Sequence, residues 1–451
     1  MLTIFEGVNA PYFARRFVEP SFAFVSGWSY WYTWAIFMAA EAVAGAILLD
    51  YWKTPVPSAV WIAIYLIIIL ALNLFAVDFF GEAEFWFASI KFITLLGLII
   101  LGVVIFFGGA PDEGRLGFRY WNNPGAFTPY VASGTFGNFL AYWTATVRAG
   151  FAFVTSPELI AQAGGEAVAP RRNIPKAARR FVWRLLFFYG CGSLVAGIVT
   201  PSNDDRLLSP ESNASASPFV IGIKRAGIVG LDHAINAAIL TSAWSAGNCF
   251  LFSGSRMLHG MAQSADAPRI FGRTNKAGVP YVAVLGTWSF GLLAFLTVSS
   301  AGSTVFTWLQ NLSTISGFIA WIIVSVTYLR FRAALRFHNQ LDERPFVAAL
   351  QPYATWVTLI FMVLLSITNG FQVFTTGRWS VADFLASYIT LPIMFALYIG
   401  HKIWHKTPLA QRLENIDVFS GKRELDEMHA ADLIPLPRPS NMWKRAWAWL
   451  A

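Results

Sequence analysis

Long runs that are apolar on every side decide what this chain can fold into, and Ile62-Ala63-Ile64-Tyr65-Leu66-Ile67-Ile68-Ile69-Leu70 is one of them. Comparable segments cover 22–49, 58–77, 84–108, 134–163, 180–200, 228–255, 280–299, 304–329, 353–373 and 380–404. About 20 mostly apolar residues cross the ~30 Å hydrocarbon core of a bilayer. Inside lipid every backbone N–H and C=O must be satisfied by the protein, which leaves only helices or a closed barrel. Barrel strands alternate apolar and polar residues, and these runs do not. The expected fold is therefore an all-α membrane protein with about ten transmembrane helices.

Charge placement gives the expected topology. Only 13% of the residues are charged, against about 25% in soluble domains, so the chain has too little charge to coat a water-facing surface. Its net charge of +8 has a topological meaning. Arg171, Arg172, Lys176, Arg179, Arg180 and Arg184 cluster in one loop, Arg256, Arg269, Arg273 and Lys276 in another, and Arg330, Arg332, Arg336 and Arg344 in a third. The intervening loops carry Lys53 alone, or arginines beside Asp112 and Glu113 or beside Asp204 and Asp205. Lys/Arg excess marks cytoplasmic loops. The expected organisation is a cytoplasmic segment 1–21, a transmembrane domain 22–404 and a cytoplasmic tail 405–451. The polar, Pro-rich tail reads as mobile, with an interfacial anchor around Trp443, Trp447 and Trp449 as the alternative. The basic charge gives no argument for nucleic acid.

Ionisable residues inside spans are costly and point to function. Glu41 lies among small residues, Ala39-Ala40-Glu41-Ala42-Val43-Ala44-Gly45-Ala46, which permit close helix approach and shelter from lipid. A structural contact between helices is the competing reading. Segment 134–163 holds Arg148 and Glu158 and is long for one straight span. Within it, Thr155-Ser156-Pro157-Glu158 is expected to break the helix, because proline lacks an N–H and pushes the preceding residue from helical geometry. Such a break builds a substrate site where half-helix amides and a positive dipole end meet a carboxylate. A plain proline kink is the alternative. Arg148 sits ~15 Å along the axis from Glu158, too far to pair, and is left to Glu41 or to an outer vestibule.

Two polar seams remain. One carries Thr241, Ser242, Trp244, Ser245, Asn248 and Ser253, the other Gln310, Asn311, Ser313, Thr314 and Ser316. Helix packing is the usual use of such residues, and Trp244 and Asn248 are the candidates for substrate contact. His233 reads as a surface residue near an outer edge. Cys191 and Cys249 lie in apolar runs and read as buried small hydrophobes. No metal-ligand spacing, phosphate-cradling loop or nucleophile–base set is present in the sequence, so neither cofactor nor enzymatic activity is expected. The sequon Asn213-Ala214-Ser215 falls in an expected outer loop.

The stretch from Ser156 through Gly164-Gly165-Glu166-Ala167-Val168-Ala169-Pro170-Arg171-Arg172-Asn173-Ile174-Pro175-Lys176-Ala177 resembles the sixth helix and following loop of fungal amino-acid permeases, within the amino acid–polyamine–organocation superfamily. Phe80-Gly81-Glu82-Ala83-Glu84-Phe85-Trp86, Ala243-Trp244-Ser245-Ala246-Gly247-Asn248, Ser253-Gly254-Ser255-Arg256 and Ser316-Gly317-Phe318-Ile319-Ala320-Trp321 extend the likeness in order over about residues 7–404. The resemblance implies a LeuT-like fold of two inverted five-helix repeats plus two helices. It implies proton-coupled amino-acid uptake by alternating access, at the plasma membrane. The carboxylate of the amino acid would then lie at Thr155, Ser156, Pro157 and Glu158, with Trp244 and Asn248 nearby. Glu41 or Glu158 would carry the coupled proton, since a buried carboxyl can take up and release one during a cycle. Where the family often has Gly-Thr-Glu, this chain has Ser156-Pro157-Glu158. Segment 22–49 matches the family's third helix. The first helix and most of the second find no counterpart, which leads to the expectation of a truncated chain that does not transport by itself. An amino-acid sensor signalling through its tail is the alternative function.

Overall fold

The computed structural model describes residues 10–153, 170–207 and 217–420, apart from positions 76, 113, 345, 346 and 349. The described residues form helices and no strand. In chain order these are α1 (Ala10–Phe17), α2 (Pro20–Leu49), α3 (Ser58–Phe75), α4 (Val77–Phe107), α5 (Gly134–Phe153), α6 (Pro170–Val199) and α7 (Pro218–Arg225). They are followed by α8 (Leu231–Gln263), α9 (Tyr281–Trp288), α10 (Gly302–Phe337), α11 (Tyr353–Thr368), α12 (Val381–Tyr388) and α13 (Thr390–His405).

Each of the ten apolar segments coincides with helix over most of its described residues. Six helices among the described residues are long and apolar enough to span a bilayer, and the bent pair α12/α13 makes a seventh. The shortfall against ten has two sources. Helix α11 has only 16 residues. Helices α5 and α8 carry several polar residues, which lowers their hydropathy. Segment 380–404, expected as one span, bends by 48° between α12 and α13. Pro392, in the first turn of α13, offers no N–H to continue the ladder of α12. Segment 280–299 also changes character, passing from α9 into a 3-10 helix over Ser289–Val298.

Helix α2 is the axis of the bundle. Glu19 caps it by accepting the Ser21 amide at 3.1 Å, and Pro20 occupies its first turn, where a missing N–H costs nothing. It has no polar face, and Trp34, Met38, Ala39 and Ala40 are fully buried. Helices α8 and α10 pack along it. Small residues set such distances elsewhere too: a Cβ on Gly150 of α5 would overlap the Phe318 ring of α10.

Polar contacts between loops fall into two groups among the described residues. At the basic end Arg15 donates to Asp266 at 2.6 Å, Arg16 to the Asp417 carbonyl at 2.7 Å, and Arg330 to the Gln411 carbonyl. His338 contacts the Leu413 carbonyl, and Ile416, 1% exposed, packs with Phe17 and Ala334. Of the tail that composition suggests is mobile, the described residues up to Ser420 are docked, because side chains of α1 and α10 satisfy their carbonyls. Helices α6, α8 and α10 also overrun their apolar windows here, since backbone hydrogen bonding continues past the point where side chains become polar.

At the other end Trp52 donates to exposed His233 at 3.0 Å, and Lys224 lies 3.7 Å from Asp232. Asp204 receives Arg206 at 2.8 Å and Arg225 at 3.1 Å. The Arg206 hydrogen bond holds the Asp204 carboxyl well below its usual range against the opposing effect of burial. A carboxyl lowered on folding stabilises above its unfolded pKa of about 4 and loses that contribution as pH falls below it. The melting midpoint of wild type should therefore exceed that of Asp204→Asn by a constant margin from pH 7 down to about 4.5, and the margin should shrink below about pH 4.

Candidate functional site

Glu41 is the ionisable residue nearest the middle of α2. Its small neighbours let α8 approach, and the α8 segment Ala243-Trp244-Ser245-Ala246-Gly247-Asn248 lies against α2, α3 and α4. Trp244 stacks edge-on against Tyr65 of α3 with ring centroids 5.8 Å apart, and its indole nitrogen lies 3.5 Å from where a Cβ on Gly45 would be. On the adjoining face Ser245 donates to Glu84 of α4 at 2.6 Å and accepts from Lys91 at 2.9 Å. The Lys91 ammonium is 3.7 Å from the Glu84 carboxylate. One turn along α8, Asn248 accepts from the amide of Asn73 at 2.8 Å.

The charges can be counted from this geometry. Lys91 is close enough to act electrostatically on Glu41, but its positive charge is matched by Glu84, with Ser245 bridging the two. Among the described residues Glu41 has no ion pair. Glu84 thus stands in a paired, hydrogen-bonded setting that Glu41 does not share. Arg148, on α5, is exposed, and among the described residues no ion pair joins it to Glu41.

An aromatic wall stands beside this cluster. Phe37 of α2 lies 5.0 Å from Phe151 of α5 and 5.0 Å from Phe250 of α8, and Phe151 lies 6.0 Å from Phe306. Phe151 is close to the end of α5. The break expected at Thr155 and Ser156, together with Pro157 and Glu158, lies outside the described residues.

Of the site residues read from sequence, Glu41, Trp244 and Asn248 come together around α2 and α8. Asn248, expected as a substrate contact, has its carbonyl oxygen engaged by Asn73, as in helix packing. The second polar seam is also turned inward: Ser313 and Thr314 bond carbonyls of their own helix at 2.8 and 2.7 Å. Sequence reasoning missed Lys91, Glu84 and Asn73. The signal was there, since all three fall within apolar segments where any polar residue is costly. Overlooked with them was Tyr65, which composition makes one more aromatic in an apolar run.

A family model described as "Amino acid permease" matches residues 1–414. The chain is 52% identical to a proline-specific permease of Emericella nidulans over 99% of its own length and 81% of that protein's. It is 48% identical to a probable proline-specific permease of Schizosaccharomyces pombe over 99% of its length and 81% of the relative's. A lysine-specific permease of Saccharomyces cerevisiae is 37% identical over 97% of the chain and 71% of its own length.

Proposed function

The chain belongs to the amino acid permease family, and on that footing we propose that it is a secondary active transporter that moves proline together with protons by alternating access. The observation that carries the substrate is the step in similarity: both proline-specific relatives stand near half identity, well above the lysine-specific one. The aromatic wall of Phe37, Phe151, Phe250 and Phe306 supports it. These rings offer an apolar surface for an aliphatic ring and no charge to read a cationic or anionic side chain. The substrate carboxylate would sit at the half-helix amides from Thr155 to Glu158, where a helix N-terminus favours an anion. The secondary ammonium would lie toward α2 and α8.

The LeuT-like reading follows from helix order. If segment 22–49 is the third helix of the parent fold, α8 is the eighth, and these two are equivalent positions in two five-helix repeats. Their packing along one another at the centre of the bundle supports that assignment. Glu41 carries the coupled proton, because Lys91 is already matched by Glu84. The basic end, with α1 and the docked tail, faces the cytoplasm, and the membrane is the plasma membrane.

The test is uptake of labelled proline by cells that lack their own amino-acid permeases and express this chain; no uptake at all, with the protein at the cell surface, would instead bear out the expectation that the chain does not transport by itself. Uptake should increase as external pH falls, collapse with a protonophore, and resist a hundredfold excess of lysine or glutamate. Equal competition by lysine would remove proline as the substrate, and uptake insensitive to both pH and protonophore would remove proton symport.

A further inference from the structure

We propose that Tyr65 is a positioning residue for the carboxyl of Glu41, and that position 247 is glycine because the Tyr65 hydroxyl fills the space its side chain would need. The proposal rests on the reading of Glu41 as the proton-coupling group.

The geometry lies in three helices. A Cβ built on Gly247 of α8 would fall within bonding distance of the Tyr65 hydroxyl oxygen and 2.8 Å from its Cζ. The same point is 3.4 Å from Cβ of Glu41. Non-bonded atoms never approach so closely, so any side chain at 247 and the phenol of Tyr65 exclude each other. The phenol therefore reaches through a notch in α8 and arrives beside α2 at the level of Glu41. The Glu41 carboxyl lies two carbon–carbon bonds beyond its Cβ, long enough to meet the hydroxyl by rotamer choice alone.

The hydroxyl is only weakly engaged elsewhere. Tyr65 is 2% exposed, and its hydroxyl donates to the Ala243 carbonyl at 3.5 Å. Good O–H···O bonds are near 2.7–2.8 Å, so this one is at the edge of being a bond. A buried hydroxyl that is poorly satisfied gains by donating to a carboxylate, and such charge-assisted bonds are the strong ones. The ring has little freedom to turn away, held between Trp244 and the Gly247 backbone.

Among the described residues, few other ionisable groups lie near Glu41. Helix α4 presents Lys91 and Glu84, which are paired with one another. Helix α8 presents Cys249, and α5 contributes Arg148. The 3-10 helix Ser289–Val298 has no acidic or basic residue, and α10 has none before Arg330. Among these groups Tyr65 is the one whose hydroxyl the Glu41 carboxyl can meet by a change of rotamer. In that arrangement Tyr65 selects the rotamer of Glu41 and sets the external pH at which the carboxyl loads.

The experiment measures initial rates of proline uptake against external pH, normalised to protein at the cell surface, for wild type, Tyr65→Phe, Gly247→Ala, the double variant and Glu41→Gln. Tyr65→Phe keeps the ring and removes only the hydroxyl. It should move the pH of half-maximal uptake by about half a unit or more, with KM for proline changed less than twofold. Gly247→Ala should lower surface protein or uptake severalfold. Tyr65→Phe should relieve it in part, since the overlapping oxygen is then gone while the ring Cζ still lies 2.8 Å from the added methyl. Should Gly247→Ala never reach the surface, recovery in the double variant still reports the exclusion. In a Glu41→Gln background Tyr65→Phe should have no further effect on the profile. If Glu41→Gln itself keeps the wild-type pH profile, the reading of Glu41 fails. If Glu41→Gln flattens the profile while Tyr65→Phe leaves it at its wild-type position, the Tyr65 proposal alone is overturned.

Discussion

Glu41→Gln should reduce proline uptake at acidic external pH by about tenfold or more, equivalent to ~1.4 kcal/mol or more of lost driving or barrier free energy, and should flatten the pH dependence. Glutamine retains the shape and hydrogen-bonding capacity of the side chain but cannot exchange a proton. Glu41→Asp keeps the titratable group one carbon shorter and should retain a pH-dependent rate, although a lower one. The contrast isolates proton exchange from packing. Glu84→Gln is a different case, because it leaves the Lys91 ammonium without its ion-pair partner and should harm folding as well as transport. Pulse uptake at two pH values with surface quantification separates the three variants. A Glu41→Gln chain with wild-type rate and slope would leave the proton without a carrier on α2.

The second large effect lies at the basic end. Glu19 is fully buried and Lys402, 13% exposed, is 2.9 Å from it. Lys402 also donates to the Tyr398 hydroxyl at 3.0 Å and the Pro408 carbonyl at 2.9 Å. One lysine thus joins the cap of α2 to the end of α13 and the start of the docked tail. Lys402→Met removes the cation and leaves a buried carboxylate uncompensated, a change that typically costs about 3–5 kcal/mol. Neutralising both partners, Glu19→Gln with Lys402→Met, should be much milder. No charge is then left unpaired, and the glutamine carbonyl oxygen can still accept the Ser21 amide. The melting midpoint in detergent, followed by size-exclusion of the surviving fraction, reads both. Equal midpoints for wild type and Lys402→Met would show that the pair contributes little.

Part of the candidate site was legible residue by residue, for one reason: ionisable groups do not enter lipid without cause. That rule found Glu41 directly. Applied with the same strictness to segment 84–108 it finds Lys91 and Glu84 as well. It could not find Tyr65 or Gly247. A tyrosine in an apolar run carries no polar alarm, and a glycine in a small-residue helix has several uses. Their importance is a matter of one atom's position between three helices.

The sequence by itself determined the all-helical membrane architecture and the ten apolar segments. Hydropathy and charge act locally, each residue answering to lipid or water irrespective of which helix lies beside it. The tertiary structure decided that, among the described residues, Glu84 is paired and Glu41 is not, that the described part of the tail is docked, where the last span bends and that a side chain at 247 would overlap Tyr65. Those outcomes depend on distances of a few ångströms between residues up to several hundred positions apart, and close packing, not composition, fixes such distances.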